Sequence, residues 1–247
     1  WGVFNRLDTG IYRAIVQEAA KDNLPAATHT GSAADVKDAV EAGTNSIEHG
    51  SMLDLIPSDL FLQMKQKGIA YDPTLSVFEA VADLRTGNFE PLGRSLVQQV
   101  GPADLLSSTR AVFGKEKPQK TPEDYKPMLD RSNQNLLNAY KAGVLLVTGS
   151  DAGNLLVIHG PTVQHELELW VKAGIPPAQA LQAATYNAAK VLRADDRIGS
   201  IQKGRDATLI LLDGDPLQDI SNTERIAIVM FHGERVDRSE LFDQDSH

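Results

Sequence analysis

Residues 26–50 read AATHTGSAADVKDAVEAGTNSIEHG, and their pattern indicates the fold class. A short apolar run ends at His29, a helical pattern runs from Ser32 to Gly43, and a second short run ends at His49. Parallel strands need a crossover connection of this kind, usually a helix, whereas antiparallel strands can be joined by a tight turn. The stretch therefore predicts two parallel strands with a helix between them.

The same unit occurs again further along the chain. Pro57 begins a helical pattern that Gly68 ends, and residues 69–75 form the next strand-like run. Residues 144–148, VLLVT, are the strongest strand signal in the sequence. Four such strands with helices outside them are typical of an α/β fold. Since a complete (β/α)8 barrel has eight strands in about 250 residues, four strands predict half a barrel.

Two regions depart from this repeat. Residues 76–134 are rich in proline and glycine and are too long for a plain connection, which favours a lid or a lateral insertion. The tail contains β runs at residues 207–212 and 226–231. We therefore predict a partial barrel over residues 1–197, with an insertion at 76–134, and a small β unit over residues 198–247.

Composition narrows the classes of function. The 247 residues carry a formal net charge of −9, which disfavours nucleic acid as a partner. No apolar run approaches the ~18 residues of a membrane helix, so no membrane partner is predicted. The absence of cysteine leaves His, Asp and Glu as metal ligands. The first residue is Trp1, which predicts that the gene continues upstream and leaves any signal peptide outside this chain.

Three polar residues stand at the downstream ends of predicted strands, namely His29, His49 and Asp151. In parallel α/β folds those ends face one rim, where active sites are built. Two imidazoles and a carboxylate suit zinc, manganese or iron(II). A single histidine in such a place is usually only a polar residue beside a loop, so the prediction depends on the three occurring together.

Other polar residues receive plainer interpretations. His159 follows Asp151 in the next loop and either lines a pocket or simply precedes a helix. His165 falls within a helix and is interpreted as structural or solvent-exposed. Glu166 and Glu168 are interpreted as a solvated face of that helix. Trp170 is assigned to the core.

Several segments, taken in order, resemble a known family. The segments Ala27-Thr28-His29, residues 42–50, Asp72-Pro73-Thr74-Leu75 and residues 148–153 look like the later strand motifs of the amidohydrolase superfamily. The similarity is to the imidazolonepropionase-like and Xaa-Pro dipeptidase (prolidase-like) subgroup, and it extends through the tail after Ile198. Each motif alone is weak, but the ordered set is specific.

This resemblance implies the C-terminal half, strands 5–8, of a (β/α)8 TIM-type barrel, followed by a small β-sandwich segment. It implies that His29 is the metal ligand of the fifth strand and His49 that of the sixth. Asp151 would be the eighth-strand aspartate, which binds metal and also handles the proton of the attacking water. Tyr71 and His159 are predicted to contact a small amide, cyclic amide or Xaa-Pro dipeptide substrate.

The metal implied is divalent, with zinc expected, as one or two ions in the complete site. The family places a His-x-His pair on its first strand, and its binuclear members add a carboxylated lysine on the fourth. Neither element occurs in this sequence, so three of five or six ligands are present. In the mononuclear variant His49 would contact substrate or lie behind the metal ligands.

Three hypotheses follow for the chain as a whole. The first is a fragment or processed half of an active amidohydrolase, whose partner is the missing N-terminal half. The second is a half-barrel without catalysis that associates with a partner or with a second copy, because open sheet edges and an exposed interior favour association. The third is a complete hydrolase with its metal site reduced to His29, His49 and Asp151.

Overall fold

A computed structural model describes residues 6–115, 117–118 and 120–238. The chain divides into two compact units. The first consists of Trp1–Pro73 with Asp130–Val147, and the second of Thr74–Leu129 with Thr148–His247. Each unit is described by itself below. No helix within the described ranges is long and apolar enough to cross a membrane.

The regular elements alternate between strand and helix at the start of the chain. The helices are α1 (Thr9–Lys21), α2 (Ala33–Ala42), α3 (Ser58–Lys67), α4 (Leu75–Thr86), α5 (Ser95–Val100), α6 (Ala103–Phe113), α7 (Pro122–Ala142), α8 (Pro161–Ala173), α9 (Pro177–Gln182) and α10 (Ala188–Val191). The strands are β1 (Ala27–His29), β2 (Ser46–Glu48), β3 (Ala70–Asp72), β4 (Leu145–Leu146), β5 (Leu209–Leu212), β6 (Ile226–Phe231) and β7 (Glu234–Val236). Short 3-10 turns occupy Glu90–Gly93 and Ile220–Glu224, and a π-helical turn occupies Ala183–Asn187.

The first unit is built on a four-stranded parallel sheet in the order β1-β2-β3-β4. Residue His29 of β1 is in register with Glu48 of β2, which is in register with Asp72 of β3. The predicted parallel α/β arrangement is therefore confirmed. Strand β4 is shorter than the predicted run of residues 144–148, because it pairs along only two residues with β3.

Local sequence signals explain why α2 connects β1 and β2. The Ser32 hydroxyl accepts from the Asp35 backbone N–H at 3.2 Å, and the Asp35 carboxylate accepts from the Ser32 backbone N–H at 2.9 Å. This capping box begins the helix, and Gly43, with a φ of 81°, ends it in the left-handed conformation. Val36 is fully buried on the inner face of the helix.

Helices dominate the second unit outside its tail. The predicted insertion at residues 76–134 contains no long irregular loop in its described part, because α4, α5, α6 and most of α7 fill it. Helix α4 begins at Leu75, which is where the strand–helix repeat would place its next helix. Trp170 of α8 is fully buried, as predicted. The domain boundaries at 76–134 and 197/198 stay predictions.

The tail forms a three-stranded antiparallel sheet in the order β5-β6-β7. Residue Ile210 pairs with Val229, and Met230 pairs with Arg235. The runs predicted at residues 207–212 and 226–231 are therefore strands, whereas β7 was not foreseen. Ile210 is 52% exposed, so this apolar sheet leaves part of its surface open.

Candidate functional site

Two predicted metal ligands lie side by side in the first unit. His29 is the last residue of β1, and His49 follows the last residue of the neighbouring strand β2. Because the strands are parallel and in register, the two rings meet at one end of the sheet, with their centroids 4.6 Å apart and their planes at 72°. His29 is exposed and His49 is buried. Two adjacent imidazoles are donors that fit a first-row divalent metal.

The backbone of His49 is unusual. Its φ is 70°, in the left-handed region that residues other than glycine rarely adopt. The His49 N–H donates to the Asp72 carbonyl at 2.8 Å, so it extends the ladder between β2 and β3 by one bond. The turn places the His49 ring beside His29 instead of continuing the strand.

The loop after His49 is held by a buried amide that the sequence interpretation missed. Asn135 of α7 is fully buried, and its Nδ2 donates to the carbonyls of Ser51 at 2.9 Å and Asp54 at 3.0 Å. Its Oδ1 accepts from the Ile56 N–H at 2.9 Å. The sequence does carry a signal for this contact, because an asparagine on the apolar side of a predicted helix is buried and must find hydrogen-bond partners.

Tyr71 was predicted to contact substrate. It is 1% exposed, lies against Phe61, and donates its hydroxyl to the His49 carbonyl at 3.3 Å. These contacts show that Tyr71 stabilises the backbone of His49. Its contact with substrate stays a prediction.

Asp151 and His159 lie in the second unit, as exposed residues of the segment between β4 and α8. Asp151 has a φ of 53°, and Asn154 Nδ2 donates both to its backbone carbonyl at 3.0 Å and to its carboxylate at 2.8 Å. A Cβ on Gly153 would lie 3.6 Å from the His159 ring, so that ring covers the glycine. Across the described ranges, no group of three or more His, Asp or Glu side chains is arranged to hold a metal ion. The ligand role of Asp151 therefore stays a prediction.

Helix α8 corrects one interpretation, because Glu166 and Glu168 do not form a solvated face. Glu166 is fully buried, and its carboxylate accepts from the N–H groups of Leu75 at 2.8 Å and Ser76 at 2.6 Å. The indole N–H of Trp170 donates to it at 2.8 Å. Burial raises the pKa of Glu166, and the hydrogen bonds oppose that shift. Glu166 thus fixes the start of α4 to α8.

Glu168 belongs to a charged network around Arg94. One Arg94 nitrogen, Nη2, donates to Glu168 and to Glu224, each at 2.6 Å, and Nη1 lies 2.8 Å from His165 Nδ1. The other ring nitrogen of His165, Nε2, contacts Glu79 of α4. The network thus joins α4, α8, the start of α5 and the 3-10 turn before β6.

The charges in this network shift one another's protonation. Burial lowers the pKa of His165, but the carboxylates of Glu168 and Glu79 more than offset it and raise the pKa to about 9. The contact from Arg94 to Nδ1 fits a neutral ring, whereas the two carboxylates favour the protonated one, and the carboxylates dominate. Contacts with His165 and Arg94 lower the pKa of Glu168 to about 2, against the effect of burial. Burial raises the pKa of the nearby Asp83 to about 6.

Residues 8–236 match the model of the amidohydrolase family. The chain belongs to the amidohydrolase family. This confirms the resemblance that the strand-end motifs carry. Amidohydrolases generally use divalent metal ions, which agrees with the imidazole pair at the sheet end.

Individual relatives differ from this chain in length. An ochratoxinase from Aspergillus niger is 30% identical over 210 residues, which are 84% of this chain and 36% of the relative. The crystal structure of a Xaa-Pro dipeptidase with bound methionine superposes with a TM-score of 0.71 and 27% identity, over 96% of this chain and 50% of that one. The A. niger ochratoxinase structure gives a TM-score of 0.67 and 25% identity, over 94% and 46%.

The chain therefore spans about half or less of the length of these relatives. Its α/β fold is similar to that of the TIM-barrel amidohydrolases over that length. The prediction from the sequence motifs that the chain has prolidase-like relatives is therefore confirmed.

Proposed function

We propose that this chain is part of a metal-dependent amidohydrolase that hydrolyses C–N bonds. The observation that carries the proposal is the pair of imidazoles, 4.6 Å apart, at adjacent strand ends of a chain matched to the amidohydrolase family over residues 8–236. The names of the relatives favour amides such as Xaa-Pro dipeptides or ochratoxin-like compounds as substrates. Cyclic amides belong to the same class of bond.

The roles of the protein groups follow from their chemistry. His29 and His49 would hold a divalent metal, zinc being expected, through their ring nitrogens. When bound, such a metal lowers the pKa of its water and polarises the scissile carbonyl. Asp151 is proposed as a third ligand and as the acceptor of the proton that the attacking water loses. Tyr71 and His159 are proposed to contact the substrate.

We further propose that the chain is the C-terminal half of a (β/α)8 barrel with a β-sandwich segment. The parallel order β1-β2-β3-β4 and the antiparallel tail sheet support this proposal. In the described residues, β1 pairs on one side only, and two of its three residues are exposed. The proposed partner is the N-terminal half of the enzyme or, failing that, a second copy of the chain, since either would cover this edge.

The test is metal content per chain, measured by elemental mass spectrometry on wild type and on His29→Ala. We expect near-stoichiometric metal in wild type and its loss in His29→Ala. The control is His232→Ala, since His232 is an exposed histidine in a turn of the tail. Metal that survives in His29→Ala would overturn the ligand assignment.

The catalytic role of Asp151 has its own test. In the complete gene product, Asp151→Asn should abolish turnover of Xaa-Pro dipeptides or cyclic amides while the fold is kept, because the amide has the same volume but accepts no proton. Unchanged turnover would exclude Asp151 as the proton acceptor.

A further inference from the structure

We propose that Thr30 is a positioning residue, whose hydroxyl fixes the backbone of His49 and thereby the spacing of the two imidazoles. The inference rests on the proposed metal site, but its geometric part can be tested without metal. Thr30 follows His29 directly in the chain, so it belongs to the strand end that carries the first imidazole. Its side chain reaches the strand end that carries the second.

The contacts of Thr30 surround His49 on both sides along the chain. Thr30 Oγ1 lies 2.9 Å from the Glu48 carbonyl and 2.8 Å from the Gly50 carbonyl, so one hydroxyl proton serves the residues just before and just after His49. The Thr30 N–H also donates to the Glu48 carbonyl at 3.2 Å. Thr30 is 1% exposed, so water does not replace these bonds easily.

The conformation that Thr30 supports needs such support. His49 has a φ of 70°, and such a conformation of a residue other than glycine persists only where the surrounding structure holds it. The next residue, Gly50, has a φ of 76°, which glycine adopts without strain. On the opposite side, the Asp72 carbonyl accepts from His49 N–H, and Tyr71 donates to the His49 carbonyl. Hydrogen bonds therefore hold the backbone around His49 from both sides, from β3 and from the end of β1, where Thr30 provides them.

Two features separate Thr30 from the other supports. The hydroxyl of Tyr71 is 3.3 Å from its acceptor, so it makes a longer bond than either contact of Thr30. Thr30 also connects the two proposed ligands. It follows His29 directly in the chain, and its hydroxyl bonds the residues on either side of His49. A loss of its hydroxyl should therefore change the relation of the two rings.

The chain offers a matched control at the other end of the same two strands. Thr44 precedes β2 and is 2% exposed, and its hydroxyl also contacts two carbonyls, those of Ala26 at 2.7 Å and Ser46 at 3.1 Å. It also lies 2.7 Å from the Thr28 hydroxyl, so Thr44→Val removes at least as many contacts as Thr30→Val and is a stringent control. Thr30→Val and Thr44→Val remove the same hydroxyl from equally buried sites in the same sheet. Of the two residues, Thr30 is the one beside the imidazole pair. A general loss of stability would therefore appear in both variants, whereas a change in the spacing of the rings would appear only in Thr30→Val.

The first measurement uses the metal-free chain with 13C-labelled histidine. Nuclear Overhauser contacts between the His29 and His49 rings should be present in wild type, Thr30→Ser and Thr44→Val and be lost or strongly weakened in Thr30→Val. Serine keeps the hydroxyl and so should rescue the contact. Ring contacts of unchanged intensity in Thr30→Val would overturn the proposal, whether or not the chain binds metal.

The second measurement is zinc affinity by competition with a chromogenic chelator. We expect Thr30→Val to weaken zinc binding about 10-fold, which is the lower end of the effect of removing groups that orient metal ligands. Thr44→Val and Thr30→Ser should stay within about twofold of wild type. An equal loss in both valine variants would make the effect one of stability and would contradict the role of Thr30.

Together, the two measurements distinguish a failure of the proposed metal site from a failure of the positioning role of Thr30. If wild type shows the ring contacts and Thr30→Val loses them, but no variant binds zinc, the proposed metal site fails and the positioning role stands. If wild type binds zinc and Thr30→Val binds it equally well, the metal site stands and the positioning role fails.

Discussion

His49, beside β2, and His165, on α8, are fixed in opposite ways. Backbone hydrogen bonds and a left-handed turn fix His49, and its ring faces another imidazole, His29. Charged side chains contact both ring nitrogens of His165, with Glu79 on one side and Arg94 and Glu168 on the other. Two imidazoles together suit a cation from outside, whereas the ring between carboxylates already has its counterions. Burial alone therefore does not describe a histidine, because the groups around its ring decide which role it can take.

Removing each of the two histidines in turn tests whether they have different roles. If the proposed site is correct, His49→Ala should remove most bound metal and lower turnover of the proposed full-length enzyme by about 1000-fold, which corresponds to roughly 4 kcal/mol. His165→Ala should keep its metal and lose only stability. Metal content and the urea midpoint, measured on both variants, would separate the two classes. Equal metal loss in both would break the distinction.

The next effect concerns the buried carboxylate beside His165 on α8. Glu166→Ala leaves two backbone N–H groups at the start of α4 and the Trp170 indole without their acceptor, so we expect a loss of about 3 kcal/mol in the free energy of unfolding. Urea denaturation measures it. Glu18→Ala is the control, because the side chain of Glu18 is 69% exposed in an i,i+3 pair. A loss below about 1 kcal/mol for Glu166→Ala would show that the buried carboxylate contributes little.

The smallest effect is a dependence of stability on pH. The pKa of His165 is raised from 6.5 to about 9 in the folded chain, so the protonated ring stabilises the fold fully below pH 6.5, and this contribution is lost as the pH rises through about 9. We expect the free energy of unfolding to decrease by about 2 kcal/mol between pH 6 and pH 9.5. This is less than the full pKa shift would give, because the network is only half-buried and solvent screens it. His165→Asn should flatten this dependence, as followed by urea unfolding at both pH values.

The neighbours of His165 act in other pH windows. The pKa of Glu168 is lowered to about 2, so its contribution is present above about pH 4.5 and is lost as the pH falls through 2. The pKa of Asp83 is raised from 3.8 to about 6, so the advantage of its protonated form is lost as the pH rises through 6. If the decrease between pH 6 and pH 9.5 persisted in His165→Asn, another group would be its source.

The sequence predicted the region of His49 far better than that of His165. The β1-α2-β2 unit carries local signals, since Ser32 and Asp35 begin the helix and Gly43 ends it. Parallel register then brings His29 and His49 together without further information. The support from Asn135 escaped prediction because it joins residues about 80 positions apart.

The network around His165 has no local signal of that kind. Arg94 and Glu224 are 130 residues apart in sequence, so only the folded chain brings them together. For Glu166 the sequence does carry a local signal. It lies four residues before Trp170 and three after Val163, which places it on the apolar face of α8 and not on a solvated one.

The close approach of Gly50 to Tyr71 couples the effects of substitutions at these two positions. A Cβ on Gly50 would lie 2.4 Å from Tyr71 Oη and 2.8 Å from the ring edge, and the backbone φ is positive there. Gly50→Ala is therefore harmful while the tyrosine is present, and loss of the hydroxyl alone does not make room because the ring edge remains. A residue 71 smaller than an aromatic ring would remove the steric part of this cost, while the φ of 76° would still strain any side chain at position 50. The two positions are thus expected to be coupled, so that the combined variant loses less stability than the sum of the two single variants.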